Sequence, residues 1–175
     1  SNAGILGVIG AGSMNLELLE SQILKAKSLT RKPFAVNFPI MYERSKEQID
    51  LAYDLGVRIF ILSAGSPKKY TQFLKDKGCV VLHVTSNQVL AQKCEDAGVD
   101  IVIVEGFEAG GHNGRDELTT MVLGAQVPKS LKIPVVLAGG IASGQSILAC
   151  LALGASGVQM GTRFLMTHES SAHLT

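Results

Sequence analysis

The 175-residue sequence carries 16 basic and 15 acidic side chains, and hydrophobic residues make up 46% of it. No basic stripe occurs, so the charges give no case for a nucleic-acid or anionic-membrane partner, and no apolar run approaches the roughly 20 residues of a membrane-spanning helix. With 19 glycines, no tryptophan and 5% aromatic residues, the composition favours a layered α/β protein over a β-sandwich.

Short β-branched runs alternate along the chain with longer stretches of helical spacing, which predicts parallel strands joined by crossover helices. The predicted strands are residues 5–9, 34–38, 57–62, 80–84, 101–104, 135–137 and 157–160. The predicted helices are residues 16–28, 45–55, 68–77, 87–97, 120–131 and 143–153. A glycine follows four of these helices, at Gly56, Gly78, Gly98 and Gly154, as is typical of a left-handed helix stop.

This alternation predicts a TIM (β/α)8 barrel as a single domain over residues 1–175. Because a standard barrel has eight strands and the pattern holds fewer, we expect the chain to be truncated at both ends, without the first strand and the C-terminal part. A complete open sheet of the doubly wound type is the alternative.

Two glycine turns follow neighbouring late strands. Gly139 and Gly140 come directly after the strand at 135–137, and Gly161 and Thr162 follow the next strand. Adjacent glycines let backbone amides approach an anion, and the helix that follows points its positive end at the same place. Together the turns predict a site for a phosphate-bearing ligand, although each turn alone could be an ordinary strand-to-helix connection. Arg163 either adds charge there or forms a structural ion pair.

The loop at 105–114 is the longest and least hydrophobic of the strand-end loops, with four glycines, two carboxylates and His112. A histidine on such a loop is well placed for proton transfer near neutral pH, whereas a structural histidine is the alternative. Asn37, at the end of another strand, either contacts a ligand or bonds only to backbone. We expect Ser66 to cap a helix beginning at Pro67, and His83 to lie in the core or a pocket wall.

The remaining histidines and the cysteines predict no site. His168 and His173 lie in the C-terminal tail, where we expect them to be solvated. The three cysteines at 79, 94 and 150 are widely spaced without a CxxC motif, which predicts buried free thiols, no metal site and a reducing, cytoplasmic setting.

Three stretches carry a family resemblance: Glu-Gly-Phe-Glu-Ala-Gly-Gly-His-Asn-Gly at 105–114, Ala-Gly-Gly-Ile-Ala at 138–142 and Val-Gln-Met-Gly-Thr-Arg-Phe at 158–164. In this order they resemble the nitronate monooxygenase family, formerly called 2-nitropropane dioxygenases, which shares its fold with the FMN-dependent enoyl-acyl-carrier-protein reductase II. The resemblance implies FMN as cofactor and His112 as the catalytic residue. The cofactor-binding residues that it implies are Asn37, Glu105, Gly110, Gly111, Gly139, Gly140, Gln159, Met160, Gly161 and Thr162.

The sequence departs from the family pattern at two places. Glu105 stands where many nitronate-oxidising members carry Gln, and Glu is usual in the enoyl reductase branch. In contrast, Arg115 and Asp116 lengthen the segment after His112 beyond the enoyl reductase pattern. These departures keep two activities open.

We expect a small-molecule substrate, with nitronate oxidation by O2 as the first hypothesis. NAD(P)H-dependent reduction of an enoyl thioester is the alternative. A third hypothesis is a phosphate-binding barrel without redox activity, such as a flavin carrier, a sugar-phosphate isomerase or an aldolase. A homodimer is a candidate assembly, although no residue of the sequence identifies an interface.

Overall fold

The computed structural model describes residues 1–170. The chain forms two compact units, the first made of Ser1–Val84 with Ala97–Asp100 and the second of Thr85–Asp96 with the chain from Ile101 onward. In both units short strands alternate with helices, as the hydrophobic pattern predicts.

The first unit is a parallel sheet with helical connections. Its strands are β1 (Gly7–Gly10), β2 (Phe34–Pro39), β3 (Ile59–Ser63) and β4 (Val80–Thr85). Its helices are α1 (Leu16–Leu29), α2 (Ser45–Asp54) and α3 (Thr71–Asp76), with a 3-10 turn at Pro67–Lys69. Parallel pairing places β2 between β1 and β3, and β3 between β2 and β4.

Continuous apolar strands bury both faces of this sheet. Phe60, Ile61 and Leu62 of β3 are each at most 2% exposed, as expected for a parallel strand covered on both sides. The ring of Phe60 stacks on that of Phe38, with centroids 5.9 Å apart. Leu19 of α1 completes the same core, so the amphipathic face of the helix covers the sheet.

The second unit repeats the arrangement. Its strands are β5 (Ile101–Glu105), β6 (Val135–Ala138) and β7 (Gly157–Gln159). Its helices are α4 (Gln88–Asp96), α5 (Thr120–Gln126), α6 (Gly144–Ala152) and α7 (Thr162–Leu165). β6 pairs in parallel with both β5 and β7. The carboxyl ends of these three strands therefore share one edge of the sheet.

Three helix predictions need correction. The helix predicted at 120–131 ends at Gln126, because Pro128 offers no N–H to continue the helical hydrogen bonds. The helix predicted at 68–77 is divided at Tyr70, whose φ of −132° leaves the helical region. Ser66 occupies the N-cap position, but its side chain makes no capping hydrogen bond.

The predicted environments of the thiols and of the tail are confirmed where the structure describes them. Cys79, Cys94 and Cys150 are free and buried, and burial raises the pKa of Cys94 to about 12. His168 is exposed, whereas His173 lies outside the described residues. Between residues 1 and 170 no helix is long and apolar enough to cross a membrane.

Candidate active site

Three turns at the carboxyl ends of β5, β6 and β7 enclose a cleft of about 560 Å³. In parallel α/β folds ligands bind beyond this end of the strands, and small-molecule sites commonly measure some 300–1,000 Å³. The cleft brings together most of the predicted cofactor residues. These are Glu105, Gly110, Gly139, Gly140, Gln159, Met160, Gly161 and Thr162.

The turn after β6 is built from glycines that other residues could not replace without strain. Gly139 and Gly140 have φ of 108° and 65°, in the left-handed region. A Cβ on Gly140 would lie 3.1 Å from the Cβ of Glu108. The turn then enters α6, where the Ser143 hydroxyl accepts a hydrogen bond from the amide of Ser146 and fixes the start of the helix.

Backbone amides around the cleft are left free. The N–H groups of Gly140, Ile141 and Gly161 donate to no atom of the described residues. The amides of Thr162 and Arg163, the first two of α7, also lack acceptors among the described residues. Backbone N–H groups without a protein acceptor are available to donate to a ligand, so this arrangement suits an anion.

Arg163 adds a positive charge at the same edge. Its side chain lines the cleft and forms no ion pair with any carboxylate in residues 1–170. Of the two roles predicted for Arg163, the added charge therefore agrees with its surroundings.

Thr120 and Glu108 connect the turns. The Glu108 carboxylate accepts from the amide of Thr120 at 2.9 and 3.1 Å. The Thr120 hydroxyl lies within hydrogen-bond distance of the carbonyl oxygens of Ala138, at 3.1 Å, and Gly139, at 2.9 Å. Sequence analysis identified Thr120 only as the start of a helix. The pair of threonines at 119 and 120, directly before an apolar helical stretch, indicates a helix start and gives no sign of these contacts.

Glu105 ends β5 and lines the cleft without a hydrogen-bond partner for its carboxylate in the described part of the chain. Burial raises the pKa of the Glu105 carboxyl above its ordinary value, because a partly desolvated site disfavours the charged form. A carboxyl of this kind can hold a proton closer to neutral pH than an exposed one.

His112 lies on the same loop but outside the lining of the cleft, as does Gly111. The imidazole is exposed and bonds to nothing else in residues 1–170. Two hydrogen bonds hold the loop around His112. The amide of Phe107 donates to the carbonyl of Leu118 at 2.8 Å, and the Asn113 side chain donates to the Phe107 carbonyl at 2.9 Å. His112 is thus presented to solvent from a closed loop.

Asn37 and His83 belong to the first unit. The Asn37 amide donates to the Ile61 carbonyl at 3.4 Å, so it has the backbone partner that one of its two predicted roles requires. His83 is 3% exposed, and its Nδ1 lies 2.9 Å from the carbonyl of Val84. Burial lowers the pKa of His83, which keeps the ring neutral in the core, one of the two positions predicted for it.

A second cavity, of about 420 Å³, opens in the first unit near the amino ends of β2 and β3. Lys27, Arg31, Lys32 and Arg58 line it. Lys27 donates to the carbonyl of Leu55 and Arg58 to that of Tyr53, each at 2.8 Å. These cations satisfy carbonyl groups at helix ends, and the cavity lies at the strand end where barrels do not bind substrates.

A family model described as nitronate monooxygenase matches residues 39–175. The chain belongs to the nitronate monooxygenase family. A probable nitronate monooxygenase of Staphylococcus saprophyticus is 35% identical over 217 residues, covering 98% of this chain and 61% of that protein. The family predicted from the three sequence stretches is thereby confirmed.

Two further similarities extend the comparison. A (3aS,4S,5R,7aS)-5-hydroxy-7a-methyl-1-oxo-octahydro-1H-indene-4-carboxyl-CoA dehydrogenase of Rhodococcus jostii is 40% identical over 171 residues, covering 98% of this chain and 48% of that protein. The structure of FabK from Thermotoga maritima superposes with a TM-score of 0.93 at 43% identity, covering 99% of this chain and 55% of that one. The superposition confirms the predicted (β/α)8 fold class. The chain spans about half the length of the curated relatives that it matches.

Proposed function

We propose that this protein is an FMN-dependent oxidoreductase whose phosphate-binding turns are Gly139–Gly140 and Gly161–Thr162. The observation that carries the proposal is the set of unpaired amides of Gly140, Ile141 and Gly161 around one cleft. An FMN phosphate would accept from these amides, with Arg163 contributing charge. The cleft volume of about 560 Å³ also falls in the range of cofactor sites.

The glycine content of the cleft supports a bulky cofactor rather than an ion alone. Gly110 faces Thr162, whose hydroxyl would lie 3.2 Å from a Cβ at position 110. Side chains at these positions would narrow the space between the loop after β5 and the start of α7. FMN, when bound, supplies the redox chemistry, and the protein supplies placement and proton transfer.

His112 is the proposed proton-transfer group. Its imidazole, free of protein partners among the described residues, would accept the proton of a carbon made acidic by an adjacent electron-withdrawing group. The imidazole would hold that proton, and FMN, when bound, would supply the acceptor for the electron pair left on the carbon. Glu105, in the cleft itself, is the proposed contact of this chain with the cofactor ring.

Nitronates or acidic nitroalkanes are the first substrate class, with O2 as the final electron acceptor. The match of residues 39–175 to the nitronate monooxygenase family supports this choice. The name of the Staphylococcus saprophyticus relative supports it as well.

An acyl thioester is the second substrate class, with NAD(P)H as electron donor for an enoyl substrate. Three observations favour it: the name of the Rhodococcus jostii relative, which contains a carboxyl-CoA, the 43% identity to FabK, and Glu105 in the cleft. Enoyl reduction adds a proton and a hydride to the substrate, so in this class His112 would deliver a proton to the carbon next to the thioester carbonyl instead of accepting one.

The absorbance spectrum of the purified protein tests the cofactor, and an anaerobic titration tests the substrate. We expect flavin bands after reconstitution with FMN. Rapid reduction by NADH or NADPH followed by reoxidation with an enoyl thioester would assign the reductase, whereas consumption of O2 with an alkyl nitronate would assign the oxidase. A protein that takes up no FMN would contradict the proposal and favour a phosphate-binding barrel without redox activity.

A further inference from the structure

The Thr120 hydroxyl occupies an unusual position between two glycines. A Cβ on Gly106 would lie 2.2 Å from Thr120 Oγ1, and a Cβ on Gly139 would lie 2.7 Å from the same atom. Both distances are far below any that real Cβ atoms adopt, so the backbone of both turns approaches Thr120 as closely as glycine permits. Thr120 is itself 5% exposed, which excludes water as an alternative partner for most of its surface.

Three acceptors lie around the Thr120 hydroxyl, whose single proton they share. Thr120 Oγ1 lies 2.9 Å from the Gly139 carbonyl, 3.1 Å from the Ala138 carbonyl and 3.1 Å from Glu108 Oε2. The amide of Gly106 also donates to the Ala138 carbonyl, at 2.9 Å. The loop after β5, the first turn of α5 and the turn after β6 therefore meet at a single side chain.

The consequence concerns the amides of the anion turn. Gly139 and Gly140 both have φ in the left-handed region, and the N–H groups of Gly140 and Ile141 are unpaired among the described residues. The Gly139 carbonyl, which is the nearest acceptor of the Thr120 hydroxyl, shares its peptide plane with the free amide of Gly140, so this hydrogen bond restrains that amide. Glu108 in turn holds Thr120 through two hydrogen bonds to its amide.

We propose that Thr120 and Glu108 are positioning residues that hold the Gly139–Gly140 turn in the conformation that binds a phosphate group. The proposal rests on the proposed function, because the phosphate in question is that of FMN. Neither side chain needs to contact the phosphate. Thr120 and Glu108 would affect phosphate binding through the peptide plane that joins Gly139 and Gly140.

Thr120→Val and Thr120→Ser form the matched pair for the test. Valine keeps the shape of threonine and removes the hydroxyl, whereas serine keeps the hydroxyl. Hydrogen–deuterium exchange of the ligand-free protein reports on the turn, and titration of flavin fluorescence reports the Kd for FMN. For Thr120→Val we expect exchange of the Gly106 amide, which donates to the Ala138 carbonyl, and the Kd for FMN each to rise about tenfold, the equivalent of one buried hydrogen bond.

The controls separate positioning from general stability. Thr120→Ser is expected within about twofold of wild type in both measurements, because its hydroxyl reaches the same carbonyls. Exchange in α1 of the first unit is expected to be unchanged in every variant. If Thr120→Val does not fold, Glu108→Gln replaces it, and there we expect a rise of about threefold in both measurements as one carboxylate oxygen is lost.

Two results would overturn the proposal: unchanged exchange of the Gly106 amide in a folded Thr120→Val protein, or faster exchange there with an unchanged Kd for FMN. The same two results in the Glu108→Gln protein would overturn the proposal where that variant is used in place of Thr120→Val. If wild-type protein binds no FMN, the proposed function fails, and the exchange measurement alone decides whether Thr120 holds the turn.

Discussion

The side-chain amide of Asn87 donates a hydrogen bond to the carboxylate of Asp116, with an N···O distance of 2.5 Å. Asn87 is fixed at the start of α4, where its carbonyl oxygen accepts from the amide of Leu90 at 2.8 Å. Next to it, Gly114 packs so closely that a Cβ there would lie 2.2 Å from that of Ser86. Asp116, which follows His112 in the same loop, thus holds that loop against α4.

Asp116→Ala should lower turnover while FMN binding persists. Without the carboxylate, the loop loses its side-chain bond to α4 and His112 is less well oriented, so we expect kcat to fall about tenfold and the Kd for FMN to stay within about twofold. Steady-state kinetics measures kcat, and flavin titration measures the Kd for FMN. Arg115→Ala is the control, because Arg115 has no hydrogen bond or ion pair among residues 1–170. Equal kcat values in both variants would argue against the role of Asp116.

His112→Ala tests the proton-transfer role. Because His112 lies outside the cleft lining and bonds to no described residue, its removal should leave the fold and the yellow colour of bound flavin intact. A general base contributes roughly 10²–10⁴ in rate, so turnover should fall by that factor. Single-turnover absorbance at the flavin bands measures it. Turnover at the wild-type rate would exclude His112 from catalysis.

Gly140→Ala should weaken FMN binding. Its φ of 65° is unfavourable for alanine, and the new methyl group would meet Glu108 at 3.1 Å, so the turn must change shape. We expect the Kd for FMN to rise at least about tenfold, equivalent to roughly 1–2 kcal/mol of backbone strain. Gly144→Ala is the control: it begins α6, and nothing lies within 4 Å of the added Cβ. Wild-type affinity in the Gly140 variant would contradict the assignment of this turn.

Local chemistry explains what could be predicted from the sequence. The strands follow from continuous apolar runs such as that around Phe60, and the position of the cleft follows from glycines at the ends of β6 and β7. All four predicted helix-stop glycines have positive φ, between 72° and 101°. Each of these features depends on residues that are close in sequence.

Features that depend on distant residues were missed. Nothing near Thr120 in the sequence indicates that its hydroxyl bonds to carbonyls 18 and 19 residues away. The predicted helix is divided at Tyr70, where the backbone φ is −132°. Tyr70 is 8% exposed, so burial of its ring outweighs the helical propensity of the segment. The helix α7 begins without a side-chain cap, and therefore without a sequence signal.

Glu105 predicts a pH dependence of stability. Burial raises its pKa above the ordinary value of 4.5, so the folded protein prefers the protonated carboxyl. The contribution of Glu105 to stability is then fully present below pH 4.5 and is lost as the pH rises through the raised pKa. Glu105→Gln, which stays neutral, should therefore be more stable than wild type at pH 8, with the difference in Tm shrinking toward pH 4.

Glu95 supplies the control of opposite sign. Its carboxylate accepts hydrogen bonds from the amides of Lys132, at 2.6 Å, and Ile133, at 3.1 Å. The hydrogen bond from the Lys132 amide is the main cause that lowers the pKa of the Glu95 carboxyl, and the hydrogen bond from the Gln92 side chain adds to it. Stability from Glu95 is therefore present above pH 4.5 and is lost as the pH falls through the lowered pKa. Glu95→Gln should be less stable than wild type at pH 8, and a Tm difference of the same sign in both variants would refute the buried environment assigned to Glu105.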